Sequence, residues 1–204
     1  MPNAASYDDV VVLPRAVRFP VEMIPPEGFD AERLETWPRV AGRLEWVDGR
    51  LLFMPPSGDL QQDTTTDVVI TLGGWVREHP GFVLGTNEAG MRLGGATRAA
   101  DAAIWRRSDL GSYTGGLRRV PQILAVEVAE ATQGDTEELL REKASWYHGV
   151  GVEAVWILLP ESREAIVSSP GHESRVSGDD RLPEPPGLSG LQPRARELFA
   201  QIAS

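Results

Sequence analysis

The chain has 204 residues with no cysteine, 16 prolines, 21 glycines and 30 acidic against 20 basic side chains, a net charge of −10. Disulfides and Cys-ligated zinc or iron–sulfur centres are excluded, and the 3 histidines (His79, His148, His172) are too scattered for a His-based metal cage. The acidity argues against nonspecific coating of nucleic acid. The length suits one domain with a substantial core. No apolar run approaches the roughly 20 residues needed to span a bilayer, and the N-terminal "MPNAASYDDV" lacks the basic-then-apolar order of a leader, so a cytoplasmic location is expected.

Along the chain, Asp30 is positioned to cap a short helix, "AERLETW", stopped by Pro38. "RLEWV" and "RLLFM" flank Asp48-Gly49, a strong hairpin signal. After the loop "PPSGD", Val68, Val69, Leu72, Trp75 and Val76 recur at helical spacing, which predicts an amphipathic helix from Gln61 to His79, ended by Pro80-Gly81. "FVLGTNEAGMRL" and "TRAADAAIWRR" read as strands joined through Gly94-Gly95, and "GSYTGG" as a mobile loop. "QILAVEV" is an apolar strand interrupted only by Glu127, as expected of a strand buried on both faces. A helix over about Thr136 to His148, the strands "EAVWILL" and "EAIVS", the loop "GDDRLPEPPGL" and a closing helix "ARELFAQIA" with Ala195, Leu198, Phe199 and Ile202 inward complete the chain. The pattern predicts a single α/β (α+β) domain with a mixed sheet flanked by helices.

The charge is unevenly placed. Residues 91–120 are basic, with Arg92, Arg98, Arg106, Arg107, Arg118 and Arg119 against Asp101 and Asp109. This segment reads either as a solvated hairpin face or as a local phosphate-binding patch on an acidic body.

Three charged residues stand out. Glu127 lies inside an apolar strand, where an unpaired carboxylate is costly; it is a satisfied ion pair or edge residue, or a metal ligand. In "AADAAIW", alternation puts Asp101 on one face with Ala103 and Trp105, and Ala102 and Ile104 on the other. Small alanines beside the carboxylate leave room for an ion, although a solvent-facing Asp fits too. Lys143, the single lysine beside 19 arginines, falls in the apolar arc of its helix with Leu139, Leu140, Ala144 and Tyr147. Its ammonium either snorkels outward along an apolar stem or points into a site. Two carboxylates and an ammonium suit phosphodiester hydrolysis: Mg²⁺ prefers one or two carboxylates plus water and phosphate oxygens, and a compact ammonium holds a water or offsets developing charge.

At these residues the sequence resembles the Uma2 family of bacterial restriction endonucleases, within the PD-(D/E)xK nuclease superfamily. The resemblance runs from about Leu44 to Phe199 through "RLEWVDGRLLFMPPS", "GTNEAGMRL", "RAADAAIW", "PQILAVEV", "REKASWYHGVGVEAVWIL" and "LPEPPGLSG" with "ELF". It implies a restriction-endonuclease-like domain over residues 41–204, with 1–40 an N-terminal extension carrying the short helix. It further implies a catalytic Asp101–Glu127–Lys143 site. Mg²⁺, with Mn²⁺ as substitute, would be held by Asp101, Glu127 and the carbonyl of Val128, with Glu88 or Glu45 as an auxiliary acid unless these are solvated strand carboxylates. The superfamily's usual lysine position, two residues after the Glu, is Ala129 here; the family moves the lysine to the next helix, which Lys143 matches. Three departures stand out: Ala100 replaces a proline, "AEATQGD" replaces a Ser-Pro-Ser segment, and Gln62 stands where a histidine is common. His148, just beyond Lys143, suits a capping or core role.

The leading reading is a Mg²⁺-dependent endonuclease acting on DNA, gripping the backbone through the arginines of 91–120. Two cuts across a duplex need two sites, which fits a homodimer. The alternatives are a nucleic-acid-binding module with a degenerate site, or an oligomeric interaction protein that keeps only the fold.

Overall fold

The structure, a computed structural model, describes residues 19–131 and 134–203, and at Asn87 and Glu88 the backbone alone. Among the described residues nine strands form one mixed sheet: β1 (Val21–Met23), β2 (Arg43–Val47), β3 (Arg50–Met54), β4 (Phe82–Leu93), β5 (Ala96–Arg106), β6 (Leu124–Val128), β7 (Ala154–Leu159), β8 (Glu164–Ser169) and β9 (His172–Ser177). Two helices flank it, α1 (Asp59–Glu78) and α2 (Glu137–Gly149). The strands run in the order β1-β3-β2-β5-β6-β7-β8-β9, with β4 on β5. Pairing is antiparallel except between β6 and β7, which α2 connects, as a parallel pair needs a crossover. Among the described residues, no helix is long and apolar enough to cross a membrane.

Both expected two-residue hairpins form. Asp48 and Gly49 (φ 50° and 76°) and Gly94 and Gly95 (φ 57° and 79°) place both central residues at positive φ, the turn whose twist matches its strands. Two cores lie on opposite faces of the sheet. Val68 and Leu72 of α1, with Leu198 and Phe199, cover Ile104, Val126 and Trp156 on one side. Leu140, Ala144 and Tyr147 of α2 cover Trp105, Ala125 and Ile157 on the other. All five residues of β6 are buried, as its apolar run requires.

Three expectations are corrected. Residues 31–37 form only a short 3-10 helix, Leu34–Thr36. Seven residues before Pro38 are too few to offset α-helix nucleation, and the side chains of Asp30 and Thr36 bond the local backbone instead. The C-terminal helix is a 3-10 helix, Ala195–Phe199. The N–H groups of Ala195 and Arg196 donate to the carbonyls of Asp180 and Gly178, which anchors the segment to the preceding loop. Ala195, Leu198 and Phe199 are still buried, and Ile202 is half-buried. Finally, Leu139 is 45% exposed and lies outside the buried arc of α2. Strands β1 and β9 end the main strand order, and β4 branches from it on β5; β9 has no buried residue and so no apolar alternation to announce it.

β5 organises the sheet. β4 pairs with one of its edges from Ala96 to Arg106, while the other meets β2 at Thr97 and β6 at Ala102–Ile104. A β-bulge interrupts β4, where the register passes from Thr86↔Ala102 to Ala89↔Ala100, so Asn87 and Glu88 oppose Asp101. Further along, the Trp105 ring lies over Gly85, where an added Cβ would stand 2.6 Å from it. Gly85→Ala is expected to destabilise the fold by about 1–3 kcal/mol, whereas Gly81→Ala, with nothing within 4 Å, should stay within about 0.5 kcal/mol of the parent. Urea unfolding of the two variants checks this; equal stabilities would mean that the Trp105 contact is not tight.

Candidate active site

Between the contacts of β5 with β2 and β6, side chains take the place of strand pairing. The Ala99 N–H donates to Glu45 Oε1 at 3.3 Å, and its carbonyl accepts from Lys143 Nζ at 3.0 Å. One residue on, at the bulge, the side-chain alternation slips. Ala100 joins the α2-side core with Ala103 and Trp105, while Ala102 and Ile104 face α1. The expected grouping of residues 102–105 holds, but strict alternation does not carry through Asp101. Its carboxylate instead reaches the end of β6, where Oδ2 accepts the Val128 N–H at 2.7 Å. Bulges commonly re-aim a side chain in this way.

Glu127 projects from β6 toward α2. Its Oε2 lies 2.8 Å from Lys143 Nζ, and its Oε1 accepts from the Tyr147 hydroxyl at 2.6 Å. Lys143 also reaches Glu45 Oε1 at 3.2 Å. Spaced four residues apart on α2, Lys143 and Tyr147 descend on the same carboxylate. The ammonium therefore points into the site and does not snorkel outward; Lys143 is 9% exposed and Glu127 2%. Arg43 of β2 stands 3.6 Å from Asp101 Oδ1 and 3.8 Å from Glu45 Oε1, and Arg98 lies 3.7 Å from Glu45 Oε2. Arg43, Arg98, Lys143, Glu45 and Glu127 thus line a cleft of about 280 Å³ between the β2–β3 hairpin and α2, with Asp101 at its border against Arg43 and Val128.

Burial is the largest influence on Glu127 and, aided by Asp101, pushes its carboxyl up to about 7 against the pull of Lys143 and Arg43. Burial works against the Lys143 charge, but Glu127 and Glu45 outweigh it and hold the ammonium above its ordinary range. Glu45 is lowered: burial raises it, but Lys143, Arg43 and Arg98 together prevail. Asp135, also lining the cleft, is raised by burial.

Of the residues singled out in the sequence, Glu127, Lys143, Glu45 and Val128 line this cleft, and Asp101 borders it through Gln61, Arg43 and the Val128 N–H. Glu88 stands in the bulge, but its side chain lies outside the described residues. His148 is engaged elsewhere, its Nδ1 donating to the Val152 carbonyl at 3.0 Å and its Nε2 facing the Ser168 hydroxyl at 2.9 Å. Gln62 faces outward and donates to the Ser57 carbonyl. Its neighbour Gln61 occupies the site, which the sequence reading missed along with Arg43, Tyr147 and Asp135. Projecting the buried stripe of α1 back from Leu72 and Val68 through Thr64 reaches Gln61.

The basic segment is dispersed. Arg92 and Arg119 both pair with Glu32, and Arg106 pairs with Glu153. Arg107 donates to the carbonyls of Pro80 and Phe82, and Arg118 lies over the Trp105 ring. Of the six, Arg98 alone lines the cleft.

The donor set fits a hard cation. Gln61 Nε2 sits 3.4 Å from each oxygen of Asp101 and 3.1 Å from the Val128 carbonyl, so three oxygens converge on one partial positive charge. Among the described residues no group of three or more His, Asp or Glu side chains assembles for a metal. A cation here would therefore keep water or phosphate oxygens in its shell, as Mg²⁺ does. The acid–base consequence of burial is testable without metal. Glu127 ionises at about 7 in the fold against an ordinary 4.5, so below about 4.5 its contribution is fully present, and it is lost as pH rises through about 7. Wild type should therefore lose up to about 3 kcal/mol relative to Glu127→Gln across that window. Unfolding titrations in chelator measure this, and a pH-independent difference would refute the burial account.

A family model described as "Putative restriction endonuclease" matches residues 31–199. The fold matches a crystal structure of a "putative nuclease belonging to DUF820" from Anabaena variabilis ATCC 29413, with a TM-score of 0.72 and 14% identity over 83% of this chain and 96% of that one. No curated protein matches the sequence significantly. With most of its length matched by the family model, the chain belongs to the Uma2 family of restriction-endonuclease-like proteins.

Proposed function

We propose that the chain is a divalent-metal-dependent endonuclease that hydrolyses DNA phosphodiester bonds in the cleft between the β2–β3 hairpin and α2. The observation that carries this reading is the placement of the Lys143 ammonium 2.8 Å from Glu127, whose strand neighbour Val128 donates its N–H to Asp101. It supplies the cation from α2 where Ala129 leaves the strand position without one. Asp101, Glu127 and the Val128 carbonyl would hold Mg²⁺, or Mn²⁺ in its place, and the bound ion would polarise a phosphoryl oxygen and acidify its water.

The chain's own groups divide the remaining work. Lys143, its three N–H donors engaged by Glu127, Glu45 and the Ala99 carbonyl, offsets charge developing on the phosphoryl oxygens. Tyr147, at 2.6 Å from Oε1, orients the Glu127 carboxylate, and Glu45, at 3.2 Å from Nζ, keeps Lys143 charged. Arg43 and Arg98 line the cleft and complement the phosphate backbone. Binding should accordingly weaken steeply with salt.

A second reading, a nucleic-acid-binding module without cleavage, is favoured by one observation: the Gln61 amide nitrogen stands among the oxygens that would bind the metal. Purified protein with Mg²⁺ or Mn²⁺ should nick plasmid or single-stranded DNA. Asp101→Asn and Lys143→Met should lower the rate by about 100-fold or more, with thermal melts reporting whether each variant folds. Salt-dependent binding without cleavage supports the second reading, and undiminished cleavage by folded Lys143→Met refutes the assigned mechanism.

A further inference from the structure

We infer that Gln61 is a metal ligand of this site, its side-chain amide turning over so that the nitrogen faces the Asp101 carboxylate and the Val128 carbonyl without metal and the oxygen faces the ion with it. The inference rests on the metal-dependent reading above and adds a ligand from α1 to the three already named.

Three observations carry it. Gln61 is 5% exposed, a degree of burial at which both ends of an amide ordinarily find partners. Its Nε2 is well supplied, with both oxygens of Asp101 at 3.4 Å and the Val128 carbonyl at 3.1 Å. Its Oε1 is buried with no hydrogen-bond partner. An amide oxygen without a donor in such a setting costs about 1–3 kcal/mol, yet the opposite orientation would press it against three other oxygens. Without a cation, then, the nitrogen must face inward and leave the oxygen unsatisfied. A divalent ion reverses that balance, because the position taken by the nitrogen then demands oxygen donors and the amide carbonyl is a neutral, hard one. The turn exchanges oxygen and nitrogen about one torsion and requires no backbone movement.

The position on α1 is suited to this role. Gln61 lies in the first turn of the helix, on the buried stripe that continues through Thr64 and Val68 to Leu72. The apolar packing of Val68 and Leu72 against the sheet therefore fixes where the amide stands. With Gln61 the protein offers four oxygen-bearing groups, leaving part of an octahedral shell for water and a phosphate oxygen.

Mn²⁺ binding to the full chain, followed by electron paramagnetic resonance and calorimetry, tests the assignment separately from activity. Gln61→Leu should weaken Mn²⁺ binding about 10-fold or more, and Gln61→Glu, which supplies a charged oxygen, should restore or tighten it. In the wild type, Mg²⁺ should displace the side-chain NH₂ resonances of Gln61, identified by their loss in Gln61→Glu. Wild-type binding that Gln61→Leu leaves unchanged, or unmoved NH₂ resonances at saturation, overturns the inference while sparing the metal-dependent reading. Tighter binding by Gln61→Leu overturns it as well, since the amide would then be an obstacle to the ion. Absence of Mn²⁺ binding by the wild type would remove the metal-dependent reading and this inference together.

Discussion

The buried contact between Lys143 and Glu127 is the constraint around which the site is arranged. Bringing an ammonium and a carboxylate out of water costs several kcal/mol per ion, repaid only when geometry and further hydrogen bonds are favourable. The chain meets that condition with Tyr147 on the far oxygen of Glu127, and with Glu45 and the Ala99 carbonyl on the ammonium. Each partner comes from a different part of the fold, so strand order, helix placement and pairing gap must all be correct for the pair to be tolerated. Removing one member would leave the other buried without its counter-charge, typically a loss of about 3–5 kcal/mol.

The pairing gap follows from β5. A strand with continuous neighbours on both edges has no backbone groups to offer a side chain. Here β2 and β6 share one edge of β5 without meeting, and Ala99 is left to Glu45 and Lys143. The bulge in β4 falls opposite Asp101 and shifts the alternation where the carboxylate must turn toward β6. Backbone irregularity and charge clustering therefore coincide, a departure from local regularity of the kind found at functional sites.

Much of this was legible from residue pattern alone. Lys143 in an apolar helical arc and Glu127 in an apolar strand each stand out while leaving a snorkelling or ion-paired reading open, and the structure joins the two in one polar cluster. The two hairpins were readable because Asp48-Gly49 and Gly94-Gly95 demand positive φ. Gln61 escaped because the apolar pattern of α1 begins at Val68, whereas the buried face continues through polar Thr64 to Gln61. Hydrophobic periodicity is blind to a helix face that is buried against charges. Arg43 escaped for a related reason: on a hairpin strand an arginine reads as solvated until tertiary contacts turn it inward. The two 3-10 segments were overcalled as α-helices because apolar spacing does not report where the first N–H groups are bonded.

The distribution of positive charge changes how an acidic protein with this site would hold a polyanion. The net charge of −10 is partly offset by a basic central segment, yet Arg92, Arg106 and Arg119 are matched by acidic partners, and Arg107 and Arg118 engage backbone carbonyls and an aromatic ring. A cation already paired at the surface gains little by exchanging one anion for another. The charge that matters lies deeper, where Arg43, Arg50, Arg98 and Lys143 line the cleft with Glu45, Asp48, Glu127, Asp135 and Glu142, and Asp101 at its border makes the carboxylates the majority. Such a cleft has no strong attraction for phosphate on its own, and a divalent cation would offset its excess of carboxylates. On the proposed metal-dependent reading, the ion would therefore contribute to recognition of the phosphate backbone as well as to its chemistry, and surface arginines would not replace it.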